Sequence, residues 1–203
     1  EKYKIIKHQR DVAKLDDITS IEKYKLEPNS MQVGFIKNLR KIQEAGERKA
    51  LLISATGTGK TYASAFAMRE LGFQRVLLLV HRNQIAKQAK KSFRKVFSGQ
   101  VSMGLVTGKY QEYDKDFIFA TIQTLSKEEN LHRYEKTAFD AIVIDEAHHS
   151  AANSYKKVLD YFEPKLWLGM TATPDKRDDN LEGRNIYEIF NHQIAYEIRL
   201  QDA

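Results

Sequence analysis

The sequence predicts a three-layer α/β domain built on a mainly parallel sheet. Three observations carry that prediction. Short apolar runs without alternation recur at residues 50–53, 75–80, 117–120, 141–144 and 166–170, the pattern of strands buried on both faces. Stretches with apolar residues at helical spacing separate several of these runs, an order that suits a parallel sheet covered by helices. The first run passes through a glycine-bearing turn straight into a helical segment, 62–70.

Residues 1–27 are lysine-rich and weakly patterned, with 4–7 either a short strand or plain linker. They are expected to lead into a domain spanning 28–203. Pro28, Asn29 and Ser30 open a helix that Asn29 or Ser30 can cap. Met31, Phe35, Leu39 and Ile42 recur at helical spacing, and Ala45-Gly46 ends it. Gln32 sits in the first turn. Its carboxamide offers donor and acceptor together and can read adenine in bidentate fashion; equally, it is a solvated glutamine.

The run 50–53 leads into Ser54, Ala55, Thr56, Gly57, Thr58, Gly59, Lys60 and Thr61. Strand, glycine-bearing loop, Lys-Thr and helix is the layout of a phosphate-binding loop. Gly57 and Gly59 let the backbone turn where a Cβ would forbid it and approach phosphate closely. Successive N–H groups form an anion-binding nest, and the following helix adds its positive end. Lys60 can reach the β- and γ-phosphates, and the Thr61 hydroxyl can ligate Mg²⁺. Ser54 stands where the general pattern has a glycine.

A buried strand is expected over 75–80, followed by His81-Arg82-Asn83 and a helix over 84–97. Ile85, Ala89, Phe93 and Val96 form its buried stripe. The other face carries Lys87, Lys90, Lys91, Arg94 and Lys95, which is either a solvated face or a phosphate-tracking patch. Strands at 101–106 and 117–120 flank a polar loop, 109–116, and Thr121 to Leu125 open the next segment. The strand ending at Ile144 delivers Asp145 and Glu146, then Ala147 and His148. A helix over 154–162, a strand over 166–170 ending in Thr171-Ala172-Thr173, a short helix near 186–190 and a last strand over 193–198 complete the chain.

In open α/β sheets, ligands bind at the carboxyl ends of the strands. Asp145 at such an end can hold Mg²⁺ opposite Thr61. Glu146 can orient and deprotonate the attacking water. Two acids with separate duties suit metal-assisted hydrolysis of a phosphoanhydride. His148 either links the carboxylates to the Thr171-Ala172-Thr173 turn or is a neutral core histidine. A zinc site is not expected, because no further His or Cys stands near His148 and His149 to complete one.

Composition narrows the class further. The 203 residues suit one domain with one core. A chain 42% hydrophobic and 30% charged reads as an ordinary globular protein. The formal charge of +6, from 33 Lys+Arg against 27 Asp+Glu, permits a polyanion partner and equally fits solvated lysine. With no cysteine, disulfides and cysteine-based zinc sites are excluded. The longest apolar run, Val76–Val80, falls far short of the ~20 residues of a membrane span. No signal peptide is evident, and a cytoplasmic setting without membrane contact is expected. The chain begins with Glu1 rather than Met, which reads as a piece of a longer protein.

The order Gly57-Thr58-Gly59-Lys60-Thr61, Asp145-Glu146-Ala147-His148 and Thr171-Ala172-Thr173 resembles motifs I, II and III of superfamily 2 helicases and translocases, in their DEAH-box spelling. Val80-His81-Arg82 resembles motif Ia, and Thr121-Ile122-Gln123-Thr124 resembles motif Ib. Gln32 falls where that superfamily often places its adenine-reading glutamine. His149-Ser150 and Pro174-Asp175-Lys176-Arg177 lean towards the motor subunits of restriction enzymes and their repair-helicase relatives.

The resemblance implies a RecA-like lobe that binds ATP and Mg²⁺ and touches one nucleic-acid strand, DNA before RNA. Arg82, Thr121 and Thr124 would make that contact. Thr171 and Thr173, with His148, would couple nucleotide state to strand grip. It also implies a second RecA-like lobe of the same polypeptide, not present in this chain, whose arginines complete the ATP site. An arginine finger is worth ~10³–10⁵ in rate, so the 203 residues alone are expected to bind nucleotide weakly and hydrolyse it poorly. Robust nucleic-acid-stimulated turnover by this piece would refute that expectation. A sensing module that uses ATP only as a conformational switch is the competing reading.

Overall fold

The computed structural model describes residues 26–54, 59–146, 153–172, 189–190 and 193–198. Seven strands form one sheet: β1 (Lys49–Ser54), β2 (Val76–Val80), β3 (Met103–Val106), β4 (Phe117–Thr121), β5 (Ala141–Ile144), β6 (Leu166–Thr171) and β7 (Ile194–Ile198). Their order is β3-β4-β2-β5-β6-β1-β7, and each neighbouring pair is parallel. The helices are α1 (Ser30–Glu44), α2 (Lys60–Glu70), α3 (Asn83–Phe97), α4 (Ile122–Leu125), α5 (Glu128–Leu131) and α6 (Asn153–Tyr161).

The apolar runs lack alternation because the sheet has a core on each side. In β2, Val76, Leu78 and Val80 pack into one core and Leu77 and Leu79 into the other. β5 divides in the same way, with Ala141 and Val143 on the first side and Ile142 and Ile144 on the second. The first core receives α1, α2 and α3; the second receives Tyr155 and Val158 of α6.

Helix α1 starts where a capping box dictates. The Gln32 N–H donates to Asn29 Oδ1, and the Asn29 N–H donates to Gln32 Oε1, both at 2.9 Å. These bonds satisfy two donors that the helix start would otherwise leave open. Phe35, Ile36 and Leu39 then face the core, and Asn38 Nδ2 donates to the Ala195 carbonyl of β7 at 3.0 Å. Helix α3 buries Ala86, Ala89, Phe93, Val96 and Phe97, and stops at Ser98, whose φ of 49° is left-handed.

Two strand positions leave no room for a Cβ, and on Gly104 of β3 it would lie 2.5 Å from the Glu112 carbonyl oxygen. A Cβ on Gly169 would lie 2.6 Å from Phe190 Cζ and 3.0 Å from Leu51 Cδ1, and both side chains are buried. β6 therefore gives up a side chain where the tip of the Phe190 ring meets the strand.

The structure departs from the expected elements in small ways. β3 begins at Met103 rather than residue 101. There the Ser102 carbonyl and hydroxyl serve the start of β4 instead, accepting from the Phe117 N–H and donating to Asp116 Oδ2. Helix α5 is a single turn, too short to show an apolar period. The expected strand at 4–7 lies outside the described residues, as does most of the expected helix near 186–190. Among the described residues, no helix is long and apolar enough to cross a membrane.

Candidate functional site

A parallel sheet sends every strand out on the same edge. Ser54, His81 with Arg82, Thr121, Asp145 with Glu146, and Thr171 all fall at or just past that edge. β1 ends at the buried Ser54. The chain enters α2 through Gly59, whose φ of 106° is closed to residues with a side chain. The nearest atom to a Cβ on Gly59 would be Met31 Cε at 3.9 Å, so the first turn of α1 stands beside the loop. Ala55, Thr56, Gly57 and Thr58 lie outside the described residues.

Lys60 is the first residue of α2 and only 9% exposed. Its Nζ donates to the Ser54 carbonyl at 3.2 Å, across the mouth of the loop. Burial pulls Lys60 below the ordinary lysine range, and the charges of Asp145 and Glu146 draw it part of the way back. Thr61 follows, half-buried.

β5 supplies the acids. The Asp145 N–H donates to the Leu79 carbonyl at 3.0 Å, which carries the β2–β5 ladder one residue past Ile144. Glu146 then takes a φ of 52°, and its N–H donates to Asp145 Oδ1 at 3.0 Å. A left-handed residue other than glycine is uncommon; strain of this kind costs ~1–3 kcal/mol and clusters at working sites. Burial pushes the Asp145 carboxyl above its ordinary range, while the Glu146 N–H and the Lys60 charge oppose that rise. For Lys60 and Asp145 alike, burial outweighs the attraction between them. That is the usual balance when a cation and a carboxylate leave water together.

Gln32 is 6% exposed, so the solvated-glutamine reading fails. Its Oε1 already serves the capping box, and Nε2 is the group left to reach outward. The three residues expected at a nucleic-acid strand differ in access. Arg82 is exposed and holds the N-cap position of α3 without a side-chain cap bond, and Thr124 is half-buried. Thr121 is 6% exposed and donates through Oγ1 to Thr124 Oγ1 at 3.0 Å, which leaves Thr124 the more accessible of the two. Asn130 Nδ2 holds the Thr124 carbonyl at 2.8 Å, and Asn130 Oδ1 accepts from the Tyr113 hydroxyl at 2.7 Å.

Thr171 is fully buried at the end of β6, paired in register with Ile53 of β1. His148 and Thr173 lie outside the described residues. On the basic face of α3, Lys87 lies over the Tyr110 ring at 4.8 Å and Lys90 pairs with Glu112 at 3.6 Å. Those two lysines pack against the β3–β4 loop rather than standing free in solvent. Two residues had no sequence signal. Asn130 sits in a one-turn helix, and Tyr155 reads as an ordinary core aromatic until its surroundings are known.

A cleft of about 650 Å³ opens on the opposite, amino-terminal edge, lined by Arg48, Asp140 and Lys165 among others. It lies away from Lys60 and both acids, at the strand starts that Asp140 ties together through the Gln74 and Arg75 N–H groups.

The chain has counterparts among known proteins. Residues 25–176 match the family model described as type III restriction enzyme, res subunit. The Saccharomyces cerevisiae protein named as ATP-dependent helicase IRC3 is 35% identical over 170 residues, which cover 75% of this chain and 24% of that protein. The type I restriction enzyme EcoAI endonuclease subunit of Escherichia coli is 31% identical over 159 residues, 72% of this chain and 19% of that one. The crystal structure of the Pyrococcus furiosus Hef helicase domain superposes with a TM-score of 0.64 at 22% identity, covering 83% of this chain and 38% of that one. The fold is thus that of a RecA-like helicase lobe, and the chain spans a quarter or less of the length of these two curated relatives.

Proposed function

The chain belongs to the family described as type III restriction enzyme, res subunit, and from that premise we propose that it is the ATP-binding lobe of a nucleic-acid-dependent ATPase. Its ATP hydrolysis would drive movement along nucleic acid, DNA before RNA. The observation that carries the proposal is the meeting of Lys60, Asp145 and Glu146 in one field at the carboxyl edge of the sheet. A buried lysine at a helix start faces two carboxylates there, next to a left-handed glycine.

Each residue has a task that follows from its place. Lys60 and the start of α2 bind the β- and γ-phosphates and take up charge that develops on them. The loop from Ser54 through Ala55, Thr56, Gly57 and Thr58 to Gly59 wraps them with backbone N–H groups. Gln32 donates to the adenine through Nε2. Thr61 and Asp145 are the oxygen donors for Mg²⁺. They suit a hard cation that keeps waters and phosphate oxygens in its shell. When bound, Mg²⁺ neutralises charge on the β- and γ-oxygens. Glu146 takes the proton from the attacking water.

Arg82 and Thr124 contact the strand, with Thr121 fixing Thr124. Thr171, in register with Ile53 just before the phosphate loop, couples the two sites together with Thr173 and His148. Residues 28–203 would form one lobe, residues 1–27 its lead-in, and a second RecA-like lobe of the same polypeptide would supply arginines across the cleft.

The test is ATP turnover by the intact protein with duplex DNA, single-stranded DNA and RNA. DNA is expected to stimulate more than RNA, and Arg82→Glu to weaken that stimulation with the basal rate unchanged. Bound ATP with no stimulation by any polymer would overturn the motor reading.

A further inference from the structure

Tyr155 lies at the third position of α6 and is fully buried. Its ring meets His81 edge-on, with centroids 5.4 Å apart and planes at 65°. His81 follows β2 directly, and Asp145 is bonded to Leu79 two residues before it. The tyrosine thus packs on His81, just past the end of β2, beside which the backbone of Asp145 is bonded. Its hydroxyl is buried and has no hydrogen-bond partner among the described residues. Burial raises its ionisation range, and the charges of Asp145 and then Glu146 raise it further, so the phenol stands in the field of the acids.

Phenylalanine would fill the same space without the cost of a buried hydroxyl left unbonded. An orphaned buried polar group of this kind calls for an explanation, and a state-dependent role is one. We infer that Tyr155 is a positioning residue for hydrolysis, its O–H donating to the Asp145 carboxylate when nucleotide and metal are bound. Asp145 is the better acceptor of the two acids. One of its oxygens already takes the Glu146 N–H, and a bond to the other would fix the carboxylate's rotation. Carboxylates that ligate metals are commonly held in this way, and losing such a partner costs ~10–100-fold in metal affinity or activity. The ring contact with His81 would also tie the position of Asp145 to the segment that presents Arg82. This inference rests on the ATPase reading above.

The experiment compares wild type with Tyr155→Phe in the intact protein. Two quantities are read: the nucleotide-free melting temperature, and the Mg²⁺ concentration that gives half-maximal ATP turnover. The variant is expected to melt higher, because the unbonded hydroxyl is gone. It is also expected to need ~10–100-fold more Mg²⁺, with KM for ATP at saturating metal unchanged. A lower melting temperature would mean that the hydroxyl is already bonded at rest and would overturn the inference. An unchanged Mg²⁺ midpoint in an active enzyme would overturn it as well. A wild type that hydrolyses no ATP with any nucleic acid would overturn the ATPase reading and this inference together.

Discussion

Glu146→Gln is expected to lower the ATP turnover number by ~10²–10⁴ while leaving nucleotide affinity nearly unchanged. The two side chains have the same shape, so the left-handed turn at φ 52° and the Glu146 N–H bond to Asp145 Oδ1 both survive. Only the proton acceptor is lost. Lys60 keeps the charge of Asp145 and its bond to the Ser54 carbonyl, so the start of α2 stays in place. Asp145→Asn should behave differently. It removes the charge that offsets Lys60 and one oxygen donor for Mg²⁺, so binding should weaken together with turnover. Single-turnover hydrolysis and equilibrium binding of a fluorescent ATP analogue separate the two cases. Full turnover in the Gln variant would remove Glu146 from the role of base.

Much of this site was legible in the sequence because its parts depend on local rules. A left-handed glycine, a lysine at a helix start and acids just past a buried strand each leave a short-range mark. The two-sided core left one too, as runs such as Val76–Val80 that never alternate. The order of strands left none. Nothing in β1 announces that it will lie between β6 and β7, because crossover connections fix that order and residue pattern does not.

Access was equally hidden. Thr121 and Thr124 read alike in sequence, yet one is buried and bonded to the other. Gln32 read as either solvated or ligand-facing, but its burial comes from a capping box that commits half of its carboxamide to Asn29. Tyr155 was invisible as a site residue. Its relation to Asp145 runs through the packing of its ring on His81, just past β2, not through any spacing in the chain.

The same dependence on packing makes Phe93→Ala the largest stability loss expected at the α3–sheet interface, ~3–5 kcal/mol. Phe93 is fully buried, with Phe119 edge-on at 5.2 Å, Phe117 edge-on at 6.1 Å and Phe97 stacked at 6.2 Å. Two of those partners belong to β4, whose backbone is bonded on both sides, to β2 and to β3. They cannot move inward to fill the space, so most of the cavity would persist, and persistent cavities give the upper end of the range.

Urea unfolding should show a lower midpoint with an unchanged slope, the sign of lost stability rather than a changed end state. Phe93→Leu, which keeps most of the volume, should cost much less. A loss below ~1 kcal/mol for the Ala variant would mean that α3 can settle onto the sheet after all. Arg82, at the start of α3, would then stand on a movable helix rather than on a fixed platform.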